Sequence, residues 1–140
     1  MRYLKMIVIV CVDDNNGMMF NNRRQSKDRI LQKEILHLIG SNNLWMNSYS
    51  KKQFAEYNSE QILVDENFLS KTEANDFCFV ENNNLSDYAD KIEKIILFKW
   101  NRNYPADMYF SIDLKKWVLE ESVDFEGYSH EKITKEIYKR

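Results

Sequence analysis

The chain alternates short apolar runs with polar stretches, and the spacing of the runs predicts its elements. Met6-Ile7-Val8-Ile9-Val10-Cys11-Val12 is continuously apolar, as a strand covered on both faces would be. It stops at Asp13-Asp14-Asn15-Asn16-Gly17-Met18, and a polar loop is expected over Met19 to Lys27. From Asp28 to Ile39 the apolar residues fall at 30, 31, 35, 36, 38 and 39, a helical period. Ser26 or Lys27 precedes that helix, Asp28 opens it, and Gly40 stands at the C′ position. Leu44-Trp45-Met46 reads as a short strand. Ser50-x-x-Gln53 reads as a capping box opening a short helix with Phe54 and Tyr57 inward.

Further along, Gln61 to Val64 is a second short strand, and residues 65–76 are a polar loop with room for one helical turn. Phe77-Cys78-Phe79-Val80 is a central strand stopped by Glu81-Asn82-Asn83-Asn84. Leu85 to Ile92 is a short helix, and Lys94 to Trp100 a doubly covered strand. Pro105 breaks the chain before Asp107-Met108-Tyr109-Phe110. Trp117 to Phe125 alternates as a half-buried antiparallel strand, Glu126-Gly127-Tyr128 is turn chemistry, and Lys132 to Arg140 fits strand or helix. The order predicts one α/β domain over residues 1–140, its central sheet mostly parallel with an antiparallel C-terminal end and flanking helices.

Composition then narrows the class. Hydrophobic residues make up 44% of the 140 and charged residues 30%, a globular balance, and the net charge of −2 argues against a dedicated nucleic-acid binder. Trp100-Asn101-Arg102-Asn103-Tyr104 interleaves aromatics with a base, but in an acidic chain it reads as a strand end entering a loop. No apolar stretch reaches a membrane span. Met1-Arg2-Tyr3-Leu4-Lys5 and the run to Val12 have the outline of a signal peptide. The apolar core is short, however, and Asp13-Asp14 follow at once, so the run reads as the first strand. Cys11 and Cys78 sit inside β-like runs as buried thiols of a reducing, cytoplasmic compartment.

With three glycines, at 17, 40 and 127, neither a G-x-G-x-x-G loop nor a P-loop can form. His37 and His130 are the only histidines and no Cys-x-x-Cys exists, so no zinc centre is expected. His130 could pair with Ser129, but neighbours in sequence rarely form such a dyad.

The block Val12 to Met18, Asp28 early in the first helix, Leu44-Trp45-Met46-Asn47-Ser48-Tyr49-Ser50, and the endings Asp107-Met108-Tyr109-Phe110, Trp117 and Glu136-Ile137-Tyr138-Lys139-Arg140 together resemble the dihydrofolate reductase family. The resemblance implies that family's fold, NADPH as cofactor, and Asp28 as the acidic substrate-binding residue. Other segments depart from the pattern. In the family's Gly-Arg-x-Thr cofactor segment only Ser50 is comparable, with Asn47 and Ser48 in place of the glycine and arginine. Glu81-Asn82-Asn83-Asn84 replaces the Gly-Gly turn that lets pyrophosphate approach, and a carboxylate there repels it.

The candidate chemistry gathers at strand ends. Asp28 is either a proton-handling carboxylate or a first-turn acid that complements the helix dipole. Arg23 and Arg24, with Gln25, form either an anion clamp or a solvated loop. Asp13, Asn47, Tyr49 and Ser50 stand where a ligand could be hydrogen-bonded, and Ser50 also reads as an N-cap. Glu81 and Asn82 form either a polar pocket wall or a turn. The expectation is a diverged, dihydrofolate-reductase-like protein binding a small polar or anionic ligand through these residues. Its alternatives are an NAD(P)H-dependent reductase of a pterin-like substrate with an atypical cofactor site, and an interaction protein that keeps only the scaffold.

Overall fold

The computed structural model describes residues 6–140, so the reading of Met1 to Lys5 lies outside the described residues. In chain order the elements are β1 (Met6–Val12), β2 (Gly17–Phe20), β3 (Arg23–Arg24), α1 (Arg29–Ile39), β4 (Leu44–Met46), α2 (Ser48–Lys51), β5 (Ile62–Val64), α3 (Phe68–Lys71), β6 (Phe77–Phe79), β7 (Ile92–Lys99), β8 (Met108–Tyr109), β9 (Val118–Phe125) and β10 (Ile133–Lys139). Seven strands make one sheet in the order β5-β4-β6-β1-β7-β10-β9, and β3-β2-β8 make a small second sheet. The pairings from β5 through β7 are parallel, whereas β10 pairs antiparallel with both β7 and β9. The mostly parallel α/β sheet with an antiparallel C-terminal end is therefore present.

The alternation of β1 decides which core each side chain enters. Met6, Val8, Val10 and Val12 join one cluster, with Phe68 and Leu69 of α3, while Ile9 joins the other, with Leu31, Ile35 and Ile39 of α1. β7 divides in the same way: Ile95 and Leu97 face α3, and Ile96 and Phe98 face α1. Both faces of these strands are thus covered, which explains why their sequences read as unbroken apolar runs. Residues 31, 35 and 39 form one i, i+4 stripe, buried to within 2%.

Four local expectations need correction, and one that the sequence left open is resolved. The stretch expected as loop over Met19 to Lys27 contains a hairpin, β2–β3. Asn21 and Asn22 take φ of 54° and 61° between paired Phe20 and Arg23, the two left-handed residues of a type I′ turn, which Asn tolerates. Asp28 is not inside the first turn of α1 but is its N-cap, with extended backbone and its carboxylate accepting from Ile30 N and Leu31 N. The cap of the next helix is Asn47 rather than Ser50, because Asn47 Oδ1 accepts from Ser50 N at 2.9 Å and starts the helix three residues earlier. Residues expected as a helix from Leu85 form a 3-10 turn over Ser86–Lys91, and Ile92 already belongs to β7. Of the two readings of the chain's end, strand holds: β10 is pinned along most of its length by β7 and β9. Among the described residues no helix is long and apolar enough to cross a membrane, and no group of His, Cys, Asp and Glu is placed to hold a metal.

Candidate functional site

Polar side chains converge at the carboxyl ends of β1, β4 and β6, where α/β sheets present their crevice. Three buried clusters occupy it, and the first is built on Asp13. Its Oδ1 accepts from the backbone N–H of Asn15 (2.9 Å) and Gly17 (2.7 Å), and its Oδ2 from Tyr104 N (3.1 Å) and Gln25 Nε2 (3.2 Å). Burial acts to raise the Asp13 pKa, but these four donors together hold it below the usual carboxylate value. Gly17 is required here by close approach: a Cβ would lie 2.6 Å from both Ala106 Cβ and Gln25 Nε2. Asp13 therefore ties the β1 end to the Gly17 turn and to the loop carrying Tyr104, and its acceptor capacity is in use.

The second cluster lies between β3, α2 and β6. β3 alternates like any strand, so its two arginines part. Arg24 pairs across the hairpin with Met19, which is 3% exposed, and faces inward. Its Nε and Nη2 donate to Glu81 Oε2 at 2.8 Å and Oε1 at 3.1 Å, a bidentate ion pair. Arg24 Nη2 also donates to Tyr49 O (3.2 Å), Arg24 N donates to the Tyr49 hydroxyl (2.8 Å), and the guanidinium carbon sits 4.5 Å from the Tyr49 ring centre. Gln53 Nε2 donates to Glu81 Oε2 at 3.0 Å, and Gln32 Nε2 to Gln53 Oε1 at 3.3 Å. Burial acts to lower the Arg24 pKa, yet the Glu81 hydrogen bonds and charge raise it on balance. The space left among Cys11, Arg24, Ser26, Gln53, Glu81 and Trp100 has room for about one water.

The ends of β4 and β6 are also fastened to each other. Asn47 Nδ2 donates to Asn82 Oδ1 (2.8 Å) and Asn83 Oδ1 (3.3 Å), while Ser48 N donates to Glu66 Oε1 (2.9 Å). Ser50 is buried with its hydroxyl free of partners among the described residues. The two thiols take no part in this chemistry. Cys78 is buried and pushed up to about 12 by burial, and burial likewise pushes the half-buried Cys11 thiol up.

Asp28 forms the third cluster. Besides capping α1, its Oδ1 accepts from Tyr128 N (2.9 Å), and its Oδ2 from Ser129 N (2.9 Å), Ser129 Oγ (3.2 Å) and His130 Nδ1 (2.8 Å). Gly127 permits this approach, since a Cβ there would lie 2.7 Å from Asp28 Oδ2. Burial acts to raise the Asp28 pKa. The Tyr128 N–H, His130 and the Ser129 and Leu31 N–H groups outweigh it and hold the carboxyl well below the usual range. An ionised Asp28 places the proton of His130 on Nδ1 and leaves Nε2 as acceptor, 3.0 Å from Ser26 Oγ and 3.2 Å from the Tyr104 hydroxyl. The His130 ring stacks on Trp100 with centroids 4.6 Å apart.

The structure thus brings Arg24, Tyr49 and Glu81 together, and Asp13 with Gln25. Asp28 joins residues 128–130, and Arg23 stays outside with its side chain exposed. Sequence reasoning missed Ser26, Gln53 and Tyr104 as site residues; Ser129, which it weighed beside His130, lies with Oγ 3.1 Å from Nδ1, while Ser26 Oγ lies 3.0 Å from Nε2. Separations of 104 residues between Ser26 and His130 and of 28 between Gln53 and Glu81 leave no local signal.

No family model matches the sequence, and no curated protein matches it. Among solved structures, the chain is similar to a dihydrofolate reductase from Enterococcus faecalis complexed with NADP(H) and RAB-propyl. The TM-score is 0.68 at 14% identity, over 96% of this chain and 95% of that one. At that identity the likeness concerns the backbone, and this chain has a dihydrofolate-reductase-like fold.

Proposed function

We propose that this chain keeps the dihydrofolate reductase scaffold without the reductase cleft, and binds a small anion with a flat apolar part in a groove just outside it. The observation that carries the reading is the Arg24–Glu81 ion pair. With Gln53 and Tyr49 it fills the crevice at the carboxyl end of the sheet, where a ligand of this fold would lie.

The solved neighbour holds NADP(H), and the residues here do not fit that group. Glu81 and Glu66 set two carboxylates at the strand ends, and Asn47 bridges to Asn82 and Asn83 across the gap a pyrophosphate would need. Asp28 is an equally poor receptor for a heterocycle, because both its oxygens already accept from several protein donors.

Among the described residues no carboxylate pairs with Arg23, which leaves it to do what Arg24 cannot. It pairs with Phe20 on the outer face of the hairpin, and the two border a groove with Asn21, Gln25, Tyr104 and Pro105. A guanidinium in a groove that Phe20 and Tyr104 also line suits a carboxylate or phosphate attached to a flat group. The test uses benzoate as the probe, titrated against the protein by NMR. Saturable shifts in residues 20–25 and 104–105 are expected, weakened at least tenfold in Arg23→Ala. Absence of shifts there, or unchanged affinity in the variant, contradicts the reading.

A further inference from the structure

We propose that Ser26 is a nucleophile, with His130 as its general base and Asp28 as the carboxylate that orients the base. The chain would then carry an acyl-transfer activity toward small carboxylic esters. The inference goes beyond the groove described above and does not depend on the ligand bound there.

The geometry is that of a serine–histidine–carboxylate relay assembled from distant parts of the chain. Ser26 Oγ lies 3.0 Å from His130 Nε2, and His130 Nδ1 lies 2.8 Å from Asp28 Oδ2. Both distances are within hydrogen-bond reach, and each links the ring nitrogen that the role requires. Asp28 and His130 have side-chain exposures of 0% and 2%, so water does not compete for their bond. The carboxylate is fixed by the N–H groups of Ile30, Tyr128 and Ser129, and the ring by its stack on Trp100. Ser26, by contrast, is only half-buried, in the loop between β3 and α1, and it borders the water-sized cavity. Gln25 Oε1, a buried acceptor with no partner among the described residues, borders the same neighbourhood, and a water there would satisfy it.

In the proposed step Ser26 Oγ forms a bond to the ester carbonyl carbon while its proton passes to His130 Nε2. Collapse of the tetrahedral species breaks the bond to the alkoxy oxygen, which leaves with the proton from His130. Water, deprotonated by the same nitrogen, then attacks the acyl-serine, releases the acid and restores Ser26. The Tyr104 hydroxyl, 3.2 Å from Nε2, competes with Ser26 for the same lone pair.

The test treats the purified protein with a fluorophosphonate and locates the adduct by peptide mass spectrometry. Wild type should carry one adduct on Ser26, and Ser26→Ala none on that peptide. Tyr104→Phe should label at least as fast as wild type, since the competing donor is gone. His130→Gln should label Ser26 at least tenfold more slowly. An unmodified Ser26 in wild type overturns the proposal even if His130→Gln fails to fold. Equal labelling of a folded His130→Gln, or at least tenfold slower labelling of Tyr104→Phe, overturns the role of His130.

Discussion

Asp28 shows how much one side chain can be asked to hold. Its carboxylate caps α1 and gathers the 128–130 loop, 100 residues away in sequence, so its charge contributes to stability as well as to the relay. The folded-state pKa is depressed. That contribution is therefore complete above the unfolded value of about 4, and it is lost as pH falls through the folded value. Asp28→Asn should cost about 2 kcal/mol at pH 7, the scale of hydrogen bonds to a charged group. Urea unfolding at pH 7 and again near pH 3 checks this. The gap between wild type and variant should narrow in acid, whereas a gap independent of pH would mean that the charge is irrelevant.

At the scale of elements, the β2–β3 hairpin sets the character of the site. It sends Arg24 inward and Arg23 outward, so that one arginine neutralises Glu81 and the other faces solvent. Removing one partner of a pair buried to this degree leaves an uncompensated charge. Arg24→Met should destabilise by about 3 kcal/mol, and adding Glu81→Leu should recover most of that loss. Urea midpoints of the single and double variants decide it; simple additivity would show that the pair is not coupled.

The hairpin also marks the limit of what the sequence revealed. The apolar runs of β1, β6 and β7 and the stripe of α1 were legible, because burial on both faces or on one face writes a period into the chain. Asn21-Asn22 carries no clear hairpin signal, because its turn type depends on left-handed backbone that Asn permits but does not demand. Arg23, Arg24 and Asp28 were recognised as residues of interest. The partners of Arg24 and Asp28 come from α2 (Tyr49), the loop after β6 (Glu81) and the loop before β10 (His130), and only the fold sets those distances.

The whole molecule combines a reductase-like backbone with a crevice occupied by its own side chains. The parallel sheet brings its strand ends to one crevice, and in the proposed reading Arg24, Glu81, Gln53 and the Asn47–Asn82 bridge close it to a ligand. Trp100, 3% exposed and on the wall of the remaining cavity, reports on it directly. The most direct test is a titration of NADPH followed by tryptophan fluorescence, corrected for absorption by the nucleotide. No saturable quenching up to millimolar NADPH is the predicted result. Saturable quenching with a Kd in the micromolar range would contradict the account, because it would require the ion-paired crevice to open for the cofactor.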